Sequence, residues 1–198
     1  MKRQPLHTRT VSFQTFRRED GLFEVEAQLK DVRGYDTTVP EKGVLPAGEP
    51  VHHMTITATV DAHMEVRALE SRMLATPFGY CTQVENSLQA MVGARMATGW
   101  RRAISERVQA GESCTHLREL LLNMATAALQ TIPTWLAQQR MQTGQDRTPD
   151  GQRPHYLGQC HSWRLDSPVV KLHLPRFHQP LSPSTNPGTA PGAKQESS

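Results

Sequence analysis

Apolar and polar residues alternate strictly along Phe23-Glu-Val-Glu-Ala-Gln-Leu-Lys-Asp31, which puts Phe23, Val25, Ala27 and Leu29 on one side. A period of two is the mark of a half-buried strand. Upstream, Val11, Phe13 and Phe16 suggest a partner strand that folds back across an Asp20-Gly21 turn. Met54, Ile56, Ala58 and Val60 repeat the alternation, with threonines between them. A hairpin turn at Asp61-Ala-His63 then returns the chain along Met64 to Leu74. Residues 34–50 mix Gly, Pro and charge and read as a loop.

The period changes after Cys81. Val84, Leu88, Met91 and Val92 are spaced for a helix over Thr82 to Val92, ended by Gly93. Trp100, Ala103, Ile104 and Val108 predict a short second helix, ended by Gly111. A third helix follows from Leu117, Leu120, Leu121, Met124, Ala125, Ala128, Leu129 and Ile132. Pro133 should end or kink it. Residues 142–154 read as a polar loop and Val169 to Leu174 as a short strand. Strands first and helices after predict one α+β domain over 1–178, a small antiparallel meander with about three helices on one face. The Pro/Ser/Gly-rich stretch 179–198 cannot build a core and is expected to be a disordered tail.

Composition narrows the function classes. Only 37% of the 198 residues are hydrophobic, and the net charge is +3. Most of that charge arises after residue 160, so the folded part is close to neutral. Arg17-Arg18 and Arg101-Arg102 are isolated pairs, not the basic face of a nucleic-acid binder. No apolar run is long enough for a membrane span, and no apolar segment follows the basic start as in a signal peptide. A cytoplasmic protein that binds neither nucleic acid nor membrane is expected, with an unidentified protein partner possible. Three cysteines do not close a disulfide framework, and the cytoplasm would keep them reduced.

The cysteines are the main candidates for chemistry. Cys81 follows a Gly turn at a predicted helix start, Cys114 opens the third helix, and Cys160-His161 lies in a loop. Unpaired N–H groups and the helix dipole favour an anion at such starts and lower a thiol's pKa. His116, two residues after Cys114, shares its first turn. Cys81, Cys114 and His116, with Cys160 or His161, would supply three or four ligands for zinc or an iron–sulfur unit. The competing reading is structural: Cys often packs as a small hydrophobe, and Ser113 or Thr115 would serve as the helix cap. His52-His53 opens a strand and reads first as surface or packing. No C-x-x-C, phosphate loop, nucleotide fingerprint or G-x-S-x-G is present.

FRREDGLFEVEAQLKDVRGYD, GVLPAGEPVHHMTITATVD, ATPFGYC, GESCTHLREL and GQCHSW, in that order, resemble a bacterial family known as domain of unknown function 2889. The resemblance runs from about His7 to Phe177 and implies no activity. More distantly, the order meander, Cys81, Gly93-Ala-Arg95, Cys114 is similar to NifU-type iron–sulfur scaffolds and SufE-type sulfur acceptors. That family has a further cysteine between these two, and its histidine precedes the last cysteine. Two functional classes are thus expected: a thiol-bearing scaffold or carrier for a metal, cluster or sulfur, or a non-catalytic accessory protein with structural cysteines. A Cys–His hydrolase or transferase is a third class, without a nameable orienting group.

Overall fold

A computed structural model describes residues 1–145, 147 and 152–180. The chain divides into two compact units, Met1–Gln145 and Asp146–Ser198. The first unit holds strands β1 (His7–Arg17), β2 (Phe23–Arg33), β3 (Thr37–Val39), β4 (Gly43–Leu45), β5 (Pro50–Val60) and β6 (Val66–Ala75). A 3₁₀ segment (Gly79–Met91), helix α1 (Trp100–Arg107) and helix α2 (Thr115–Gln142) follow.

The fold is α+β. Its main sheet is antiparallel, ordered β1-β2-β5-β6. The expected β1–β2 hairpin forms: Gly21 takes the positive φ of the turn, and the Asp20 carboxylate accepts the Leu22 N–H. The Asp61 turn forms too, its carboxylate accepting from His63 and Glu65 N–H. The stretch expected to be only loop contains the short β3–β4 hairpin, closed between Val39 and Gly43. Gly43 has φ +73°, the left-handed backbone that such a tight return needs and that glycine adopts without strain.

One sheet face is dry. Phe23, Val25, Ala27 and Leu29 of β2 and Met54, Ile56, Ala58 and Val60 of β5 are buried, as the alternation demands. The opposite face is polar, as antiparallel sheets allow. α2 lies along the dry face against β2, β1 and β5. At its far end Trp135 meets Phe23 edge-on, with ring centroids 5.6 Å apart. The stretch from His116 to Trp135 rises about 28 Å as helix, and Phe23 to Asp31 spans about 27 Å as strand. This length match lays the first turn of α2 over the other end of β2. Pro133 sits inside α2 and does not end it, because packing of Ile132 and Trp135 against the core holds the last two turns in place.

The segment expected as an α-helix over Thr82 to Val92 is instead the 3₁₀ run Gly79–Met91. It works as a cover for the edge strand β6. Glu85 accepts the Met73 N–H at 2.8 Å, and its backbone carbonyl accepts from the Ser71 hydroxyl. Gln89 donates to the Leu69 carbonyl. These side chains satisfy strand groups that an open edge would expose. Leu88 and Met91 are buried, whereas Val92, counted in the expected apolar face, is exposed.

In the second unit, the strand expected over Val169 to Leu174 is helix α3 (Pro168–His173). Ser167 caps it, its hydroxyl accepting from Val170 N–H at 3.1 Å, and Pro168 stands at the first helical position. That cap outweighs the β-branched pair Val169-Val170. The expected tail lies outside the described residues from position 181 onward.

Candidate metal centre

The dry stripe of β2 does not end in an apolar residue. After Leu29 the same face carries Asp31, whose side chain is only 5% exposed. Register dictates its neighbours: Arg9 of β1 pairs with Asp31 on one side, and His52 of β5 pairs with it on the other. Arg9, Asp31 and His52 therefore form one row across three strands, all pointing towards α2. The β2–β5 register shifts immediately after Asp31, the kind of irregularity that re-aims side chains at a sheet's rim. His116, in the first turn of α2, closes the group from above.

Asp31 is fully engaged. Arg9 donates from Nε to Oδ1 and from Nη2 to Oδ2, both at 2.8 Å. His7 Nε2 lies 3.1 Å from Oδ1. His52 Nδ1 and His116 Nε2 lie 3.3 and 3.7 Å from Oδ2. Arg9 also reaches Glu119, one turn further along α2, with Nη1 2.7 Å from Oε2, so β1 and α2 are tied together through one guanidinium. The two imidazoles stack, with centroids 4.1 Å apart and planes 34° to each other.

The charges follow from this geometry. Burial pushes the Asp31 carboxyl up, but the hydrogen bonds and charge of Arg9, helped by His7, hold it down at about 2. Burial lowers His52, and the neighbouring His116 adds to that; Asp31 only partly opposes it. Burial lowers His116 as well, with the Arg9 charge adding. Both rings are therefore neutral at pH 7, each with a nitrogen lone pair to give. An ionised carboxylate beside two neutral imidazoles is a donor set for a divalent transition metal. One ligand atom from each of Asp31, His52 and His116 can be chosen so that all lie within 4.8 Å of one another. Among the described residues this is the one such group of three or more His, Cys, Asp or Glu side chains.

Of the residues singled out in the sequence, His116 belongs to this centre. Cys114 is the N-cap of α2, with no side-chain cap bond, and its Sγ lies 3.8 Å from His116 Nδ1. Cys81 is the third residue of the 3₁₀ segment, and Cys81 and Cys114 each pack against the first unit's core. Cys160 is exposed in the second unit, with its carbonyl accepting from Trp163 N–H. None of the three cysteines is in the clustered group. Sequence reasoning passed over His7, Arg9, Asp31 and Glu119 and ranked His52 as surface or packing. A signal was present: Asp31 and His52 continue the buried alternation where a polar residue is out of place.

This is the class the fold and site define: an antiparallel sheet with one covering helix and a His/Asp cluster at the helix start. The chain belongs to the family described as protein of unknown function, DUF2889, whose model matches residues 7–130. That span contains His7, Arg9, Asp31, His52, Cys114, His116 and Glu119. No curated protein and no solved structure matches the chain. No helix among the described residues is long and apolar enough to cross a membrane.

Proposed function

We propose that this chain binds a divalent transition metal, zinc in the first instance, through His52, His116 and Asp31, and acts as a metal carrier or accessory protein. One observation carries the reading: His52 Nδ1 and His116 Nε2 lie 3.3 and 3.7 Å from the same Asp31 oxygen. Tetrahedral ligands about 2.0–2.1 Å from zinc stand roughly 3.3 Å apart, so a small inward movement completes the site. Three protein ligands leave a fourth position for water or a transferred group. Arg9 and His7 would hold the carboxylate in place from outside, as outer hydrogen bonds do at metal sites. An iron–sulfur or sulfur cargo, the scaffold form of this function, asks for cysteine ligands. Two imidazoles and a carboxylate favour zinc. Zinc titration against a chromophoric chelator tests the reading. Stoichiometric binding is expected, weakened at least 100-fold in His52→Ala, His116→Ala and Asp31→Asn; equal affinity in wild type and all three variants would refute it.

A second reading rests on a different feature of the same residues. Sγ of Cys114 faces Nδ1 of His116, while Nε2 of that ring faces Asp31. A thiol, a base and an orienting carboxylate in that order suit a thiol nucleophile, and Asp31 is the orienting group that the sequence did not reveal. Iodoacetamide labelling of metal-free protein at pH 7 separates the two. Cys114 reacting about tenfold faster than a free thiol, and losing that excess in His116→Ala, favours the nucleophile; an ordinary rate favours the metal.

A further inference from the structure

Cys114 and Asp31 lie on different sides of the His116 ring. The imidazole has two nitrogens on opposite flanks: Nε2 is turned towards Asp31 and Nδ1 towards the sulfur, 3.8 Å away. A metal bound beside Asp31 takes the Nε2 lone pair. The remaining proton then sits on Nδ1, where the facing group is the Cys114 sulfur. Metal-bound histidines characteristically donate this second N–H to an acceptor that fixes the ring's tautomer and orientation. The usual acceptors are carboxylates and carbonyls; sulfur is a weaker one.

We infer that Cys114 is a positioning residue for the metal centre, accepting the Nδ1–H of His116 so that Nε2 presents its lone pair to the metal, and is not itself a ligand. The inference rests on the metal reading above and deepens it. Two features of the fold support the assignment. Cys114 is the N-cap residue of α2 in extended backbone (φ −82°, ψ 130°) and makes no side-chain cap bond, so its sulfur is not occupied in ending the helix. It is partly buried against the core, which limits competition by water for the ring proton. His52 differs. Its Nδ1 faces Asp31 directly at 3.3 Å, and its ring is held by stacking on His116. A fault at Cys114 therefore disorders one imidazole and, through the stack, loosens the other.

The position also places metal occupancy under the control of thiol chemistry. Alkylation replaces the S–H hydrogen with a carbon substituent, adds bulk on the Nδ1 flank and crowds the His116 ring out of line. An alkylated protein should hold metal more weakly, although no metal–sulfur bond has been lost.

Cobalt(II) is the probe, because thiolate ligation gives an intense near-ultraviolet charge-transfer band that nitrogen and oxygen ligation lacks. Full-length protein is titrated with cobalt(II) as wild type, Cys114→Ala, Cys114→Ser and His52→Ala, with thermal melting of each metal-free variant as a folding control. The expected result is stoichiometric visible absorption without the sulfur band in wild type. Affinity should fall about 10- to 100-fold in Cys114→Ala, the range for lost outer hydrogen bonds, and be recovered in part by Cys114→Ser. Iodoacetamide-treated wild type should resemble Cys114→Ala. A sulfur-to-cobalt band would make Cys114 a ligand and overturn the inference. Wild-type affinity in folded Cys114→Ala, or a serine variant no better than alanine, would overturn it as well. Failure of the metal reading itself looks different: no stoichiometric cobalt absorption in wild type, or none lost in His52→Ala.

Discussion

At the scale of single residues, the centre is built on one buried carboxylate. Asp31 sits where the β2 alternation calls for an apolar side chain, and it stays ionised there because Arg9 grips both oxygens. The ionisation states have a consequence for stability. Asp31 is held at about 2, below its ordinary 3.8, so its contribution is full above 3.8 and lost as the pH falls through 2. His52 and His116 are depressed below their ordinary 6.5, so folding opposes their protonation. Stability is then full above pH 6.5 and declines as the pH falls below it. Melting of metal-free protein between pH 7.5 and 4.5 should show that decline, and it should flatten in the His52→Gln/His116→Gln double variant. His53, also depressed by burial and by Lys30, leaves a residual slope. An unchanged slope in the double variant would mean that these two rings are not held neutral.

At the scale of elements, the site depends on how three strands and one helix are brought together. The register places Arg9, Asp31 and His52 in one row, and the length of α2 places His116 over it. The start of β1 is held by a close crossing: Gly34 N–H donates to the Leu6 carbonyl at 3.2 Å, and a Cβ on Gly34 would fall 2.0 Å from the Pro5 carbonyl oxygen. Gly34→Ala must therefore push the Pro5-Leu6 segment outward and carry His7 away from Asp31. It should weaken zinc binding several-fold while the sheet still folds; a variant with unaltered zinc affinity would show that His7 does not support the carboxylate. Much of this layer was legible in the sequence. The period-two stripes of β2 and β5 and the apolar stripe of α2 state their burial directly. The Glu85 and Gln89 bonds that hold the 3₁₀ segment to β6 are long-range side-chain contacts, which local spacing does not encode. The Ser167-Pro168 cap was encoded, and the neighbouring valines obscured it. His116 stood out by its helix-start position, and Asp31 and His52 showed only as polar residues in the buried alternation. The grouping itself comes from strand register, which carries no motif spacing.

At the scale of the whole molecule, every residue of the proposed centre lies in the unit Met1–Gln145. Trp100 and α2 knit that unit together, with the indole N–H donating to the Leu121 carbonyl at 2.9 Å in the buried core. A chain ending at Gln145 is expected to melt cooperatively and bind zinc within about threefold of the full chain's affinity. Loss of binding in a folded truncation would contradict a centre confined to the first unit. X-ray absorption at the zinc edge of the full chain, loaded with one equivalent, reads the ligand set most directly. A shell of nitrogen and oxygen at about 2.0–2.1 Å with the outer scattering of two imidazoles is expected, and this pattern should lose one imidazole in His52→Ala. A sulfur shell at about 2.3 Å, or zinc that washes off without stoichiometric retention, would contradict a centre made of His52, His116 and Asp31.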